Sequence, residues 1–113
     1  MSSYPEPGWR ALFEVDFIEA GTPQRVLVDG LPPLCIVRLD DDSVHVIADT
    51  CTHGEASLAD GFVEGDQIEC PWHSGKFCVR DGRATAMPAS EPIRVYPARV
   101  IEGQVCIESG PAS

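Results

Sequence analysis

Apolar residues lie in short runs along the chain, and turn-forming residues separate these runs. At residues 13–17, Phe and Val alternate with Glu and Asp, which predicts a strand with one buried face. The runs at residues 34–39 and 44–48 bracket the sequence Asp-Asp-Asp-Ser, which predicts a hairpin with a solvated turn. Further strands are predicted at residues 25–28, 62–64, 67–69, 77–79, 93–100 and 104–108. Little of the chain sustains a 3.6-residue period, so strands dominate the prediction.

These strands predict an all-β fold in a single domain that spans residues 1–113. Seven or more short strands separated by turns are typical of antiparallel sheets that form a sandwich or a barrel-like base. Residues 50–90 are rich in Gly and Pro and predict an elaborated excursion from that base. A chain of 113 residues can bury one modest core but is short for two domains. The residues assigned to this core or its margin are Trp9, Phe13, Phe17 and Tyr96.

The charge balance limits the classes of partner. Eighteen Asp and Glu against eight Lys and Arg leave a formal net charge of −10, which argues against binding to nucleic acid or to an anionic membrane. No apolar run approaches the roughly 18 residues of a membrane helix, and the polar, Pro-rich start has no basic residue ahead of an apolar stretch. We therefore expect a cytoplasmic protein.

The five cysteines are an odd number, so they cannot all pair in disulfides within the chain, and a metal or redox role gains weight. Cys35, Cys78 and Cys106 lie in apolar strand patterns and are interpreted as small buried hydrophobic residues. Of the three histidines, His45 lies between two valines and is interpreted as an ordinary strand residue.

The remaining Cys and His residues form two short motifs. Cys51-Thr52-His53 is followed, after sixteen intervening residues, by Cys70-Pro71-Trp72-His73. Each motif offers one thiolate and one imidazole, and the four side chains could hold a single tetrahedral zinc ion. Zinc fingers, however, usually pair Cys with Cys and His with His. Mixed motifs suit a [2Fe–2S] cluster in which two Cys bind one iron and two His bind the other.

This arrangement resembles the motifs of Rieske proteins, in which C-x-H is followed by C-x-x-H at similar spacing. The resemblance covers residues 51–77, including the predicted hairpin at 62–70 and the sequence Gly75-Lys76-Phe77. It implies one Rieske [2Fe–2S] cluster, with Cys51 and Cys70 on one iron and His53 and His73 on the other. It also implies a Rieske-like fold in which residues 50–90 form a small cluster-binding subdomain of two loops.

The sequence departs from the high-potential Rieske proteins of respiratory complexes. Those proteins carry a disulfide between the two cluster loops, whereas the matching residues here are Ala56 and Trp72. They also place a Ser and a Tyr hydroxyl near the cluster, where this chain has Gly75 and Phe77. Hydrogen bonds to sulfur favour the reduced cluster, so their loss predicts a potential near the lower end of the Rieske range, about −150 mV rather than about +300 mV.

The histidine count separates a carrier from a catalyst. Ring-hydroxylating oxygenases add a mononuclear iron held by two His and a carboxylate, but only His45 remains here once a cluster is ligated. No catalytic residue is therefore predicted. The chain resembles the ferredoxin that carries single electrons from an NADH-dependent flavoprotein reductase to a terminal aromatic-ring-hydroxylating oxygenase, with transient docking to each. The expected docking residues surround the cluster: Gly54, Glu55, Ala56, Pro71, Trp72 and the sequence Met87-Pro88-Ala89.

Two alternatives stay open at this point. The chain could be the Rieske-type small subunit of an assimilatory nitrite reductase, which would bind a larger enzyme tightly. It could also be a structural zinc domain, which would be colourless.

Overall fold

A computed structural model describes residues 8–52, 56–72, 75–87 and 91–108, and in these ranges the chain forms strands and two single-turn 3₁₀ helices. The strands are β1 (Trp9–Glu14), β2 (Gln24–Val26), β3 (Leu34–Arg38), β4 (Val44–Ala48), β5 (Phe62–Glu64), β6 (Gln67–Glu69), β7 (Lys76–Cys78), β8 (Ala84–Ala86), β9 (Val95–Tyr96), β10 (Ala98–Ile101) and β11 (Gln104–Glu108). The 3₁₀ helices are Val15–Phe17 and Leu58–Asp60.

Three antiparallel sheets result, with strand orders β1-β11-β10, β2-β3-β4-β9 and β5-β6-β7-β8. The all-β prediction is therefore confirmed. In the described ranges no helix is both long and apolar enough to span a bilayer.

The sheet β2-β3-β4-β9 is the middle layer of the molecule, because hydrophobic residues cover both of its faces. Along β3, Leu34 and Ile36 belong to one hydrophobic core, while Cys35 and Val37 belong to a second. This division follows from the two-residue period of a strand, which sends alternate side chains to opposite faces. A strand buried on both faces lacks polar alternation, as the sequence of β3 shows.

The two cores join the middle sheet to different neighbours. The first contains Tyr96, Val105 and Ile107 and packs the middle sheet against β1-β11-β10, which forms the sandwich base. The second contains Ile68 and Phe77 and packs the opposite face against the sheet β5-β6-β7-β8. The predicted base is thus correct, and the third sheet lies within the excursion predicted at residues 50–90.

The predicted strand at residues 13–17 is wrong beyond Glu14. Strand β1 pairs with β11 up to Glu14↔Gln104. Because β11 begins at Gln104, the residues that follow Glu14 have no partner strand. The Ile18 N–H instead donates to the Val15 carbonyl and closes a 3₁₀ turn. Phe17 is 72% exposed, so the prediction that it lies in the core or at its margin is also wrong.

The predicted strand at residues 93–100 is two strands in two different sheets. Strand β9 pairs with β4, whereas β10 pairs with β11, and Pro97 separates them. Proline has no N–H to donate to a sheet, so a change of sheet at this residue loses no hydrogen bond. Strand β8 was not predicted, because Ala84-Thr85-Ala86 lacks the large apolar residues that mark strands in sequence.

The predicted hairpin with the acidic turn is confirmed. Strands β3 and β4 pair up to Arg38↔Val44, and the Leu39 N–H donates to the Ser43 carbonyl. Asp41 accepts hydrogen bonds from Ser43 and pairs with Arg80 at 3.0 Å. These bonds, with those from Ser43 strongest, hold the pKa of Asp41 well below its usual range. Asp41 therefore has a structural role, because it bonds within the turn and pairs with Arg80, which follows β7.

Candidate metal centre

The structure places the two predicted cysteine ligands in the second core. Cys51 follows β4 and is 3% exposed, and Cys70 follows β6 and is 1% exposed. Both contribute to the same group of buried side chains, although nineteen positions separate them in sequence. The other two predicted ligands, His53 and His73, lie outside the described residues.

The two loops that begin at these cysteines close in the same way. The Cys51 N–H donates to the Ala56 carbonyl at 3.0 Å, and the Cys70 N–H donates to the Gly75 carbonyl at 2.7 Å. Each bond joins a cysteine to the fifth residue after it, and the sequence between contains one predicted histidine ligand. We call residues 51–56 the first cluster loop and residues 70–75 the second cluster loop.

Residues on either side of the first cluster loop are joined by further hydrogen bonds. Thr50 and Ser57 form an isolated antiparallel bridge, and the Leu58 N–H donates to the Asp49 carbonyl at 2.7 Å. The Thr52 hydroxyl donates to the Glu91 carbonyl at 3.1 Å, which connects the loop to the segment ahead of β9. The ends of the first cluster loop are therefore bonded to each other, and the loop is also bonded to the segment ahead of β9.

The second cluster loop is the end of a hairpin. Strands β6 and β7 pair in the register Ile68↔Phe77 and Glu69↔Lys76, which brings the two ends of the loop together. Gly61 packs against the carbonyl of Glu69, and a Cβ atom at this position would collide with that carbonyl. Close backbone packing thus fixes the residue immediately before Cys70.

The other three cysteines have the predicted structural role. Cys35, Cys78 and Cys106 are buried, and none of the five cysteines, all of them described, forms a disulfide. Burial, with a smaller contribution from the Asp49 charge, raises the pKa of the Cys35 thiol far above its usual range, so this thiol stays protonated. The interpretation of these residues as small buried hydrophobic residues is confirmed.

His45 lies in β4 opposite Val37, and its Nε2 is 2.9 Å from the Ser43 hydroxyl. Partial burial lowers its pKa. Within the described ranges no three metal-ligating side chains lie close enough to hold a metal ion. The interpretation of His45 as a strand residue is therefore confirmed.

The residues that distinguish this chain from the respiratory branch lie at the predicted centre. Ala56 is buried in the second core, and Trp72 is 62% exposed. Phe77 is fully buried directly beyond the second cluster loop, and Gly75 has no side chain to offer. Neither Gly75 nor Phe77 can donate a side-chain hydrogen bond to a cluster sulfur.

Trp72 and Met87, which is 77% exposed, are the exposed large side chains among the predicted docking residues that the structure describes. Pro71 is partly exposed, and Ala56 is buried, so Ala56 can take no direct part in docking. The predicted docking residues Gly54, Glu55, Pro88 and Ala89 lie outside the described residues.

The donor set fits a [2Fe–2S] cluster. Two thiols that are not in disulfides lie in one apolar core, which suits an iron bound by two cysteines and screened from water. Their loops are short and closed by backbone bonds, which limits the movement of each cysteine. A family model for the Rieske [2Fe-2S] domain matches residues 8–97. The chain belongs to the Rieske family. This Rieske domain carries a Rieske-type [2Fe–2S] cluster, as predicted.

Similar proteins match over nearly the whole length of this Rieske domain. The anthranilate 1,2-dioxygenase ferredoxin subunit of Burkholderia cepacia is 36% identical over 90% of this chain and 93% of its own. A solved ferredoxin of Sphingomonas yanoikuyae B1 is 38% identical, with a TM-score of 0.85 over 88% of this chain and 97% of its own. These matches confirm the predicted Rieske-like fold.

Two further solved structures bear on the predicted partners. The first is a complex of reduced oxygenase and oxidised ferredoxin in carbazole 1,9a-dioxygenase. The matching chain is 37% identical, with a TM-score of 0.84 over 90% of this chain and 94% of its own. The second, a putative NADH-dependent nitrite reductase small subunit from Mycobacterium tuberculosis, is 28% identical, with a TM-score of 0.78 over 88% of this chain and 92% of its own.

Asp49 belongs to none of the sequence motifs. Its sequence signal is an acidic residue at the end of the apolar run Val46-Ile47-Ala48, two positions before a predicted ligand. In the structure this carboxylate is buried and bonded to residues beyond the first cluster loop.

Proposed function

We propose that this Rieske protein is the ferredoxin of an aromatic-ring-hydroxylating dioxygenase system. It accepts one electron from an NADH-dependent flavoprotein reductase and passes it to the terminal oxygenase. The observation that carries this function is the match over 90% of the chain to a ferredoxin subunit that the chain covers almost completely. The prediction of an electron carrier that is not itself an enzyme is thereby confirmed.

The proposed ligands are Cys51 and Cys70 on one iron and His53 and His73 on the other. Support for the cysteine pair comes from their burial in one core and from the matching hydrogen bonds that close their loops. The proposed histidines lie within the same two short segments of sequence. We also propose one domain over residues 1–113, with the cluster-binding subdomain at about residues 50–90.

The cluster supplies one-electron redox chemistry, and the protein controls where that electron goes. The apolar side chains of Leu58, Ile68 and Phe77 belong to the core that contains both cysteines and keep water away from them. Burial of this kind prevents the thiolates from reacting with solvent or with oxidants. Electron exit is therefore expected on the histidine side of the cluster, where the exposed Trp72 is next to His73 in sequence.

Support for an oxygenase partner comes from the ferredoxin–oxygenase complex to which this chain is similar. The reductase partner and transient docking follow from the role of a carrier, which has to leave one partner before it meets the next. The only exposed large hydrophobic residues among the described docking positions, Trp72 and Met87, suit a small contact patch with weak affinity. A cytoplasmic location is also proposed, because a reducing compartment suits a chain with buried cysteines and no disulfide.

The absorption and reduced-state EPR spectra of the purified protein test the cofactor, and reduction by NADH with a flavoprotein reductase tests the function. We expect a brown protein with a Rieske-type signal that is reduced in seconds and reoxidised by a terminal oxygenase. A tight complex with a sirohaem protein would instead support the nitrite reductase subunit, for which the similarity is lower. A colourless protein with full zinc occupancy would overturn the proposal.

A further inference from the structure

Asp49 is the only charged side chain buried among the residues that the structure describes, with 1% exposure. A buried carboxylate is costly unless hydrogen bonds and an opposite charge compensate it. It precedes the first proposed ligand, Cys51, by two residues. Its burial beside the metal centre therefore calls for a structural or electrostatic reason.

The carboxylate is fully engaged, and most of its partners lie beyond the first cluster loop. Oδ2 accepts a hydrogen bond from the Ser57 hydroxyl at 2.6 Å, and Oδ1 accepts one from the Ala59 N–H at 2.9 Å. Oδ2 also lies 3.4 Å from Nε of Arg25, whose side chain is half exposed. Asp49 thus joins the residues that enter the first cluster loop to those that leave it.

The main chain of Asp49 extends the same connection. Its N–H donates to the Pro33 carbonyl at 3.0 Å, and its carbonyl accepts from the Leu58 N–H at 2.7 Å. Asp49 therefore fixes both sides of the first cluster loop to the segment ahead of β3. The residues that flank the first cluster loop are thus held by hydrogen bonds around one carboxylate.

The Asp49 charge also acts on the core that holds both proposed cysteine ligands. It contributes to the raised pKa of the Cys35 thiol, after the larger effect of burial. Cys35, Cys51 and Cys70 belong to the same core. In an apolar medium a negative charge acts strongly over short distances and disfavours the addition of an electron nearby.

We propose that Asp49 is a positioning residue of the cluster site, which holds the first cluster loop through Ser57 and lowers the reduction potential through its buried charge. Arg25 moderates that charge from the surface. This inference rests on the proposed function, because it needs the cluster to be bound by Cys51 and Cys70.

Substitutions separate the two roles. In Asp49→Asn, Oδ1 still accepts from Ala59, and the amide nitrogen donates to the Ser57 hydroxyl, so the charge is lost while the connection survives. In Ser57→Ala, the charge stays and one hydrogen bond is lost. Glu64→Gln is the charge control, because Glu64 is exposed and pairs with Lys76. Ser43→Ala is the hydrogen-bond control, because the Ser43 hydroxyl also bonds an Asp carboxylate at 2.6 Å, in the turn between β3 and β4.

The midpoint potential, measured by protein-film voltammetry on the loaded protein, reports the charge. We expect Asp49→Asn to raise the potential, Arg25→Gln to lower it, and Glu64→Gln to leave it at the wild-type value. A potential for Asp49→Asn and Arg25→Gln equal to that of Glu64→Gln would overturn the electrostatic role. The Arg25 variant keeps this test available if Asp49→Asn does not fold.

The rate of cluster loss in mild denaturant, followed by visible absorption, reports the connection. Ser57→Ala is expected to lose the cluster about fivefold faster than Ser43→Ala, the factor that corresponds to one net hydrogen bond. Equal rates for the two variants would overturn the positioning role. If the wild-type protein gives no Rieske EPR signal, the proposed function itself fails, and that outcome is distinct from unchanged variants of a loaded protein.

Discussion

Each of the two cluster loops is closed by a hydrogen bond from its cysteine N–H, but the two loops are anchored by different means. The first is anchored by side chains, since Asp49 and Ser57 bond across its ends and Thr52 bonds the Glu91 carbonyl. The second is anchored by its own hairpin, with β6 and β7 paired directly up to the loop. Substitution of side chains near the first loop should therefore change the retention or the potential of the cluster. The position of the second loop depends instead on backbone packing and on the core beneath it.

The largest effect is expected where the two loops do not differ. Cys51→Ser and Cys70→Ser should each abolish the cluster, because each would remove one of the two thiolates that we propose bind the same iron. Iron and sulfide content and the visible spectrum measure the loss. Cys106→Ala is the control. This buried cysteine lies in β11, opposite Ala11 of β1 and Arg99 of β10, and belongs to neither cluster loop. A normal spectrum in either ligand variant would contradict the proposed ligand set.

Core residues that follow each loop should contribute substantially to stability. Phe77→Ala, beyond the second loop, is expected to cost about 3–5 kcal/mol in the free energy of unfolding, and Leu58→Ala, beyond the first, about 2–5 kcal/mol. Both side chains are fully buried in the core that contains the cysteines. Urea denaturation of the loaded protein measures these costs. Val100→Ala, at an exposed residue of β10, should change the unfolding free energy little, and equal costs at Val100 and Phe77 would refute the description of this core.

Docking should depend on the second loop. Trp72 is exposed there, whereas the described end of the first loop, Ala56, is buried. Trp72→Glu is expected to slow electron transfer from the reductase about tenfold, the factor for about 1.4 kcal/mol at an interface aromatic residue. Stopped-flow reduction measures the rate, and the visible spectrum should not change. Phe17→Glu is a matched control on an exposed aromatic residue of the base. If both variants transfer electrons at the wild-type rate, the docking patch lies elsewhere.

The potential should reflect the residues at the end of the second loop. With Gly75 and Phe77 at these positions, the wild-type midpoint potential is expected to be about −150 mV. Phe77→Tyr introduces a hydroxyl that can donate to sulfur and should raise the midpoint. Protein-film voltammetry tests both statements, with Phe13→Tyr in the base as the control. A clearly positive wild-type potential would show that other groups supply the missing hydrogen bonds.

The smallest effect concerns the base rather than the loops. Burial lowers the pKa of His45 in the folded chain below its unfolded value of about 6.5. Above about pH 6.5 His45 is mostly neutral in both the folded and the unfolded chain. As the pH falls below about 6.5, the unfolded chain binds a proton at His45 before the folded chain does. Stability should therefore fall as the pH drops below about 6.5, by less than about 1.4 kcal/mol per pH unit. Urea titrations of wild type and His45→Gln at pH 7.5 and 5.5 measure this contribution, and an identical pH dependence in both proteins would exclude it.

Much of the fold could be predicted from the sequence, because local patterns specify local pairing. The strands at residues 44–48, 62–64, 67–69 and 104–108 have the predicted bounds. The errors came where pairing depends on distant chain: Phe17 lies beyond the end of its partner strand, and Pro97 separates β9 from β10. The spacing of Cys51 and Cys70 predicts both as ligands, and the structure places them in one core, whereas no sequence pattern points to Asp49, whose hydrogen bonds are to residues that follow the loop.

The sequence by itself determined the chemistry of this protein. The motifs at residues 51–53 and 70–73 resemble those of Rieske proteins, and the four proposed ligands would leave only His45 among the three histidines for a second iron site. Those conclusions need no tertiary structure, because they concern which donor atoms exist and how near they lie along the chain.

Only the tertiary structure decided how that centre is supported. Alternate side chains of the middle sheet lie in two different cores, and one of those cores contains both proposed cysteine ligands. The burial of Asp49 among Arg25, Ser57 and Ala59 likewise depends on which parts of the chain meet in space. Burial and electrostatic compensation are set by neighbours from several segments at once, and the local pattern of one segment does not contain them.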